Sequence, residues 1–341
     1  MIEARYSPYR LDFRFEAITS RQHMLHKDTY LVCLTDTDSG RTAVGECALF
    51  KGLSADDVPG YEQHLARLCA APLTWRECTL PSLRFGFETA FRALAGEHPT
   101  SWSKGCAGIP INGLVWMGDK ATMAERITEK IDAGFRVIKL KIGGIALDQE
   151  MELLADMRRR FSPFDLEIRL DANGSLDPAT ALRDLERLAI YDIHSIEQPV
   201  RAGLTDTMAE LCRKSPIPIA LDEELIGYRS REDAAALLDD INPQYIILKP
   251  ALIGGVEVAD TYIDLAGNRG IGWWATSALE SNVGLYAIAS WLAAKNTTMP
   301  QGLGTGMLYS NNFTSPMYIH GAALWCRNSA FPFPENILWR N

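Results

Sequence analysis

VIKLKIG (137–143), LEIRLDANG (166–174), HSIEQP (194–199), IALDEE (219–224) and YIILKP (245–250) are five short apolar runs, each closing on a charge. Those charges, Lys141, Asp171, Glu197, Asp222 and Lys249, recur about every 25–30 residues, the length of a strand with its crossover helix and two loops. Parallel strands built this way lie side by side, so the charges at their C-terminal ends gather at one place. In a barrel that end carries the chemistry.

The same alternation continues on both sides. GIPINGLVW (108–116) precedes the five runs, and GWWATS (272–277) and MPQGLG (299–304) follow them. Segments of helical period lie between, such as TMAERITEKIDAG and DPATALRDLERLAIY, the latter with Asp177 as N-cap and Pro178 at the first helical position. Eight strands and seven clear helices give an α/β fold, a modified (β/α)7β TIM-type barrel. An open doubly wound sheet is the other candidate, but no GxGxxG fingerprint supports it. Residues 1–105 read differently. Strand-like alternation with a hairpin signal at Asp38-Ser39-Gly40 leads to helices at 61–70 and 82–95, the second opening on a Ser82 cap. The expected division is an α+β capping domain (1–105), the barrel (106–312) and a C-terminal segment (313–341) that packs on the capping domain.

Composition narrows the class. The 341 residues are 47% hydrophobic and 23% charged with a net charge of −9, ordinary for a globular protein and unsuited to nucleic acid or anionic membrane. No run approaches the roughly 20 apolar residues of a membrane helix, and the first residues lack the apolar stretch of a secretory signal. Seven cysteines without a CxxC pair read as reduced thiols in a cytoplasmic protein. His194, three residues before Glu197, reads as a satisfied loop or core histidine rather than a metal ligand.

Strand alternation sorts the side chains. Lys139 and Lys141 share one face, as do Arg169, Asp171 and Asn173. Buried charges in a barrel lumen are costly unless paired or bound to metal. Three carboxylates from neighbouring strands, with no Cys or His among them, form a hard oxygen site suited to Mg²⁺, with Mn²⁺ as a substitute. Lys141 and Lys249, four strands apart in a ring of eight, face each other across it. An ammonium beside a divalent cation and a second lysine is disfavoured, which suits such a lysine to take a proton from carbon. A carboxylate activated on metal between two lysines is therefore the expected substrate.

These motifs resemble the enolase superfamily, in particular its muconate-lactonising subgroup. Lys139-Leu140-Lys141, Asp171-Ala172-Asn173, Glu197-Gln198-Pro199, Asp222-Glu223 and Lys249-Pro250 carry the likeness, with GECALFKGLS (45–54), PSLRFGFETA (81–90) and SALESNVG (277–284). The resemblance implies Asp171, Glu197 and Asp222 as metal ligands and Lys141 and Lys249 as catalytic residues. It implies substrate contacts at Lys139, Arg169, Ser277 and the backbone of Gly302, with Asn173 and Glu223 as supporting partners. Thr19–His26 and the Phe50–Leu53 loop would cover the site. Arg169 points to the branch that dehydrates a hydroxycyclohexadiene carboxylate. The DxD pair of the subgroup's dipeptide epimerases is replaced here by Gly302-Leu303-Gly304. Racemase, epimerase, cycloisomerase and a non-enzymatic metal-binding scaffold are the other readings; no interface announces an oligomeric state.

Overall fold

The structure, a computed structural model, describes residues 1–18, 23–96, 99–295 and 297–341. Strands β1 (Ile2–Ile18), β2 (His23–Asp36) and β3 (Thr42–Cys47) form an antiparallel sheet, with the β2–β3 hairpin at the expected turn. Helices α1 (Tyr61–Ala70) and α2 (Pro81–Ala95) bury Leu65, Leu83 and Phe87 against Val32 and Leu34. At the α2–β3 contact no side chain fits between the backbones, since a Cβ on Gly45 would stand 2.0 Å from the Gly86 carbonyl oxygen. Helix α2 opens at Pro81, not on a Ser82 cap. Ser82 instead donates through its backbone N–H (2.8 Å) and hydroxyl (2.6 Å) to Asp56, whose carboxylate does the capping from the preceding loop.

The second unit alternates strand and helix. It runs β4 (Ile109–Pro110), β5 (Gly113–Val115), α3 (Lys120–Asp132), β6 (Val137–Lys141), α4 (Leu147–Arg160), β7 (Glu167–Asp171), α5 (Ala181–Leu188) and β8 (Ser195–Glu197). It continues through α6 (Thr205–Lys214), β9 (Ile219–Leu221), α7 (Arg231–Ile241), β10 (Tyr245–Leu248), the short α8 (Pro250–Ile253), α9 (Val256–Gly267), β11 (Gly272–Ala275) and α10 (Asn282–Ala293). Strands β5 to β11 pair in sequence order, all parallel. An eighth segment closes the ring with two residues. Gly302 donates to the Ala275 carbonyl at 2.8 Å, and Gln301 donates to that of Pro110 at 2.8 Å. Ile138, Leu140, Ile168, Leu170, Ile196, Ile219 and Leu248 face the helices and bury Leu153, Leu185, Leu211 and Leu238. Each such side chain contributes roughly 1.5–3 kcal/mol on burial.

Three boundaries differ from expectation. The first barrel strand is split, because its start, β4, pairs antiparallel with the tail hairpin while β5 enters the barrel. Helix α5 starts at Ala181; Asp177 caps only a preceding turn, accepting from the Ala179 N–H at 2.9 Å. The C-terminal segment divides its contacts. Its hairpin, β12 (Met317–His320) and β13 (Ala323–Cys326), extends β4, while Arg340 exchanges backbone hydrogen bonds with Tyr6 of β1.

Capping-unit carboxylates cap two barrel helices. Glu88 of α2 accepts from the N–H groups of Val256 (2.8 Å) and Glu257 (2.9 Å) at the start of α9. Glu46 of β3 accepts from Ser281 and Gly284 at the start of α10 and from the Thr29 hydroxyl at 2.9 Å. Glu46 is fully buried, so Glu46→Ala strands several donors and is expected to lower stability by about 1–3 kcal/mol, read as a reduced Tm.

Candidate active site

The register of the parallel sheet places the charges. Lys141 lies beside Asp171 and Asp171 beside Glu197, while Asp222 follows the last residue of β9. Lys139 and Lys141 alternate with helix-facing Ile138 and Leu140, so both enter the lumen. Lys139 pairs with Asp171 (2.9 Å) and Glu197 (2.6 Å), Lys141 with Asp171 (2.9 Å), and Lys249 with Asp222. Lys141 also donates to Asn173 Oδ1 at 2.6 Å, and Asn173 Nδ2 donates to Glu223 Oε1 at 3.2 Å. Asn173 and Gln198, just after the first two carboxylates, take positive φ of 45° and 40°. Left-handed backbone at non-glycine residues is strained and must be held by its surroundings. Gln198 is held by donating to the Val200 carbonyl and accepting from the N–H of Asp222.

Electrostatics follow from this packing. Burial, together with Asp171 and Asp222, pushes Glu197 up to about 7 against the pull of Lys139 and Lys249. Asp171 goes the other way, because the three lysines outweigh its burial and hold it below the ordinary carboxylate range. Lys249 stands above the ordinary lysine range: burial disfavours its ammonium, but Asp222 and Glu197 outweigh burial. Among the side chains alone, the carboxylates dominate at Lys249.

Among the described residues, no three His, Cys, Asp or Glu side chains are turned onto one point as a ready-made metal centre, and the lysines engage one oxygen of each carboxylate. The donor set nevertheless fits a hard divalent cation. Asp171, Glu197 and Asp222 supply only oxygen, and Glu197 Oε1 is buried without a hydrogen-bond partner.

Above these charges lies a cavity of about 200 Å³. Its ionic side carries Lys139, Lys141, Asp171, Asn173, Glu223 and Lys249, and its apolar cover includes Phe50, Leu53, Trp116 and Leu279. Ser277 and Gly302 border it, the Ser277 hydroxyl sharing a 2.6 Å hydrogen bond with that of Thr305. A side chain at Gly302 would collide with Thr276, its Cβ standing 2.4 Å from Oγ1. Arg169 is the correction among the substrate contacts. It does not border the cavity; it lies one inward position below Asp171, stacked 4.4 Å from the Trp274 ring and bonded to Glu167 and the Pro300 carbonyl. One residue of strand, Leu170, lies between it and Asp171, which borders the cavity. His194 lies beside Tyr245 and bonds Ser195. Of the covering segment Thr19–His26, residues 19–22 lie outside the described residues. Met24 packs with Phe50 and Trp116.

Residues 122–324 match the model of the family described as enolase C-terminal domain-like, and the chain belongs to that family. Among its relatives, the o-succinylbenzoate synthase of Desulfotalea psychrophila is 43% identical, over 95% of this chain and 98% of its own length. The crystal structure of MenC from the same organism superposes with a TM-score of 0.83 at 41% identity, covering 95% of this chain and 99% of that one. A dipeptide epimerase from Enterococcus faecalis, complexed with Mg and a dipeptide, reaches 0.84 at 18% identity over 97% and 98% of the two chains, a likeness of fold alone.

Proposed function

We propose that the protein is an o-succinylbenzoate synthase, a hydro-lyase that converts 2-succinyl-6-hydroxy-2,4-cyclohexadiene-1-carboxylate to 2-succinylbenzoate in menaquinone biosynthesis. The observation that carries this reading is a cavity bordered by Lys141, Asp171 and Lys249, with Glu197 and Asp222 ending the strands between Asp171 and Lys249, in a chain 43% identical to such an enzyme. Asp171, Glu197 and Asp222 would hold Mg²⁺ or Mn²⁺. When bound, the cation supplies positive charge as the substrate carboxylate gains electron density.

The chain's own residues do the rest. Lys141 Nζ takes the proton from the carbon bearing the carboxylate. The ammonium so formed returns it to the departing hydroxyl on the same face; the C–H and C–O bonds break, water leaves and the ring becomes aromatic. Lys249 offers a cation to the opposite face, and Lys139 sets the carboxylates. Asn173 orients Lys141 and is itself steadied by Glu223. Arg169 supports the floor of the site. Ser277 and the Gly302 backbone would meet the substrate's oxygens.

We take residues 1–105 as the capping domain, 106–312 as the barrel and 313–341 as a segment joining the two. No described helix is long and apolar enough to cross a membrane, and we infer a cytoplasmic enzyme acting on a small carboxylate. A racemase would also use two opposed lysines, so substrate competition is the test. The kcat/KM for the cyclohexadiene carboxylate is expected to exceed that for every N-succinyl amino acid. A reversed order would replace this reading with racemisation.

A further inference from the structure

The lumen wall opposite the carboxylates is built from strand ends that carry no charge. Strands seven, eight and one contribute Thr276, Ser277, Gly302, Gly304, Thr305 and Asn112, which border the cavity between the two lysine-bearing strands. Two of these groups stand out. Asn112 is 3% exposed and its Oδ1 is buried without a hydrogen-bond partner; Thr276 Oγ1 is likewise buried and unpartnered. Each flanks Gly302, because Ile111 bridges Gln301 and Thr276 bridges Gly302. Asn112 shares the inward face of strand one with Leu114 and Trp116, both of which border the cavity, whereas Ile111 packs in the core on the other face.

A buried polar group without a partner costs stability and calls for an explanation. Among the described residues, neither Asn112 Oδ1 nor Thr276 Oγ1 has a hydrogen-bond partner that would tie it to the fold. Both residues border the cavity, on an arc that offers no cation to balance a second carboxylate. Gly302 makes room for the Thr276 side chain, and at Gly304 a Cβ would meet nothing closer than the Asn112 carbonyl oxygen at 3.8 Å. An uncharged carbonyl oxygen fits this arc, accepting from the Thr276 hydroxyl and from the Asn112 amide, whose two edges can exchange by rotation about the terminal bond.

We propose that Asn112 and Thr276 form a carbonyl subsite that selects substrates by an uncharged keto oxygen on the side chain, apart from the carboxylate held at the ionic end. The proposal rests on the synthase reading, in which that group is the succinyl ketone. A site built around such a hydrogen bond rejects an analogue lacking it, because its own buried groups are then left unpaired.

The probes are 2-succinylbenzoate and 2-(3-carboxypropyl)benzoate, in which a methylene replaces the ketone, with affinity measured by calorimetry in Mg²⁺. The native protein is expected to favour the ketone by about tenfold or more. Asn112→Leu, close in shape but without polar atoms, is expected to erase most of that preference, and Thr276→Val to reduce it. Bound Mg²⁺ and the melting temperature report that each variant is folded; should Asn112→Leu not fold, Thr276→Val decides alone. An unchanged preference in a folded variant, or none in the native protein, overturns the subsite. Failure of the native enzyme to dehydrate the cyclohexadiene carboxylate, with the ketone preference intact, would count against the synthase reading alone.

Discussion

Lys141→Ala is expected to lower kcat for dehydration at least about a thousandfold, with little change in Mg²⁺ affinity. The lysine ends β6, borders the cavity and is aimed by hydrogen bonds to Asp171 and Asn173, so its amine is the group placed to reach the substrate carbon. Removing it leaves the carboxylates and the cavity in place. Exchange of the substrate α-proton with solvent, followed by NMR in deuterium oxide, should vanish together with turnover. Lys249→Arg keeps a cation opposite and is expected to retain a trace of dehydration, because charge rather than proton transfer is asked of it. A two-base racemase behaves otherwise. There, each lysine serves one enantiomer, and deleting either leaves solvent exchange of the other intact. Full dehydration by Lys141→Ala would remove the assignment of the base.

Replacing the central carboxylate has the second large effect. Glu197 has one oxygen on Lys139 and one without a hydrogen-bond partner, and its neighbours Asp171 and Asp222 make another negative charge unfavourable there. A divalent cation relieves that crowding. Glu197→Gln keeps the shape and removes the charge, so Mg²⁺ affinity read by calorimetry is expected to fall at least about tenfold, with turnover falling with it. Asp222→Asn should behave alike while leaving Lys249 a weaker partner. Native Mg²⁺ affinity and native turnover in both variants would remove the metal site.

The charged half of the site was legible in the sequence because charges at the ends of apolar runs are conspicuous, and their spacing fixes neighbouring strands. The neutral half was not. Asn112 and Thr276 are ordinary residues in ordinary strand segments, and only closure of the ring sets them beside Gly302. The capping carboxylates were hidden for a similar reason: Glu46 and Glu88 cap helices whose N–H groups lie 168 or more residues away, and no local pattern announces such a partner.

By itself, then, the sequence determined the barrel, through strands and helices repeating with one period, and the lumen-facing identity of Lys139, Lys141, Arg169 and Asp171, through the alternation of a strand. Depth was decided only in three dimensions. Arg169 and Asp171 share a face, yet one stacks under the floor on Trp274 while the other reaches the cavity. Alternation fixes the side of the sheet on which a residue lies, whereas its height above the lumen depends on register against neighbouring strands and on what fills the layer beneath. The balance of charge was tertiary as well. Lys249 is governed by Asp222 and Glu197, which end the neighbouring strand and the one beyond it and which only the pairing of these strands brings within reach.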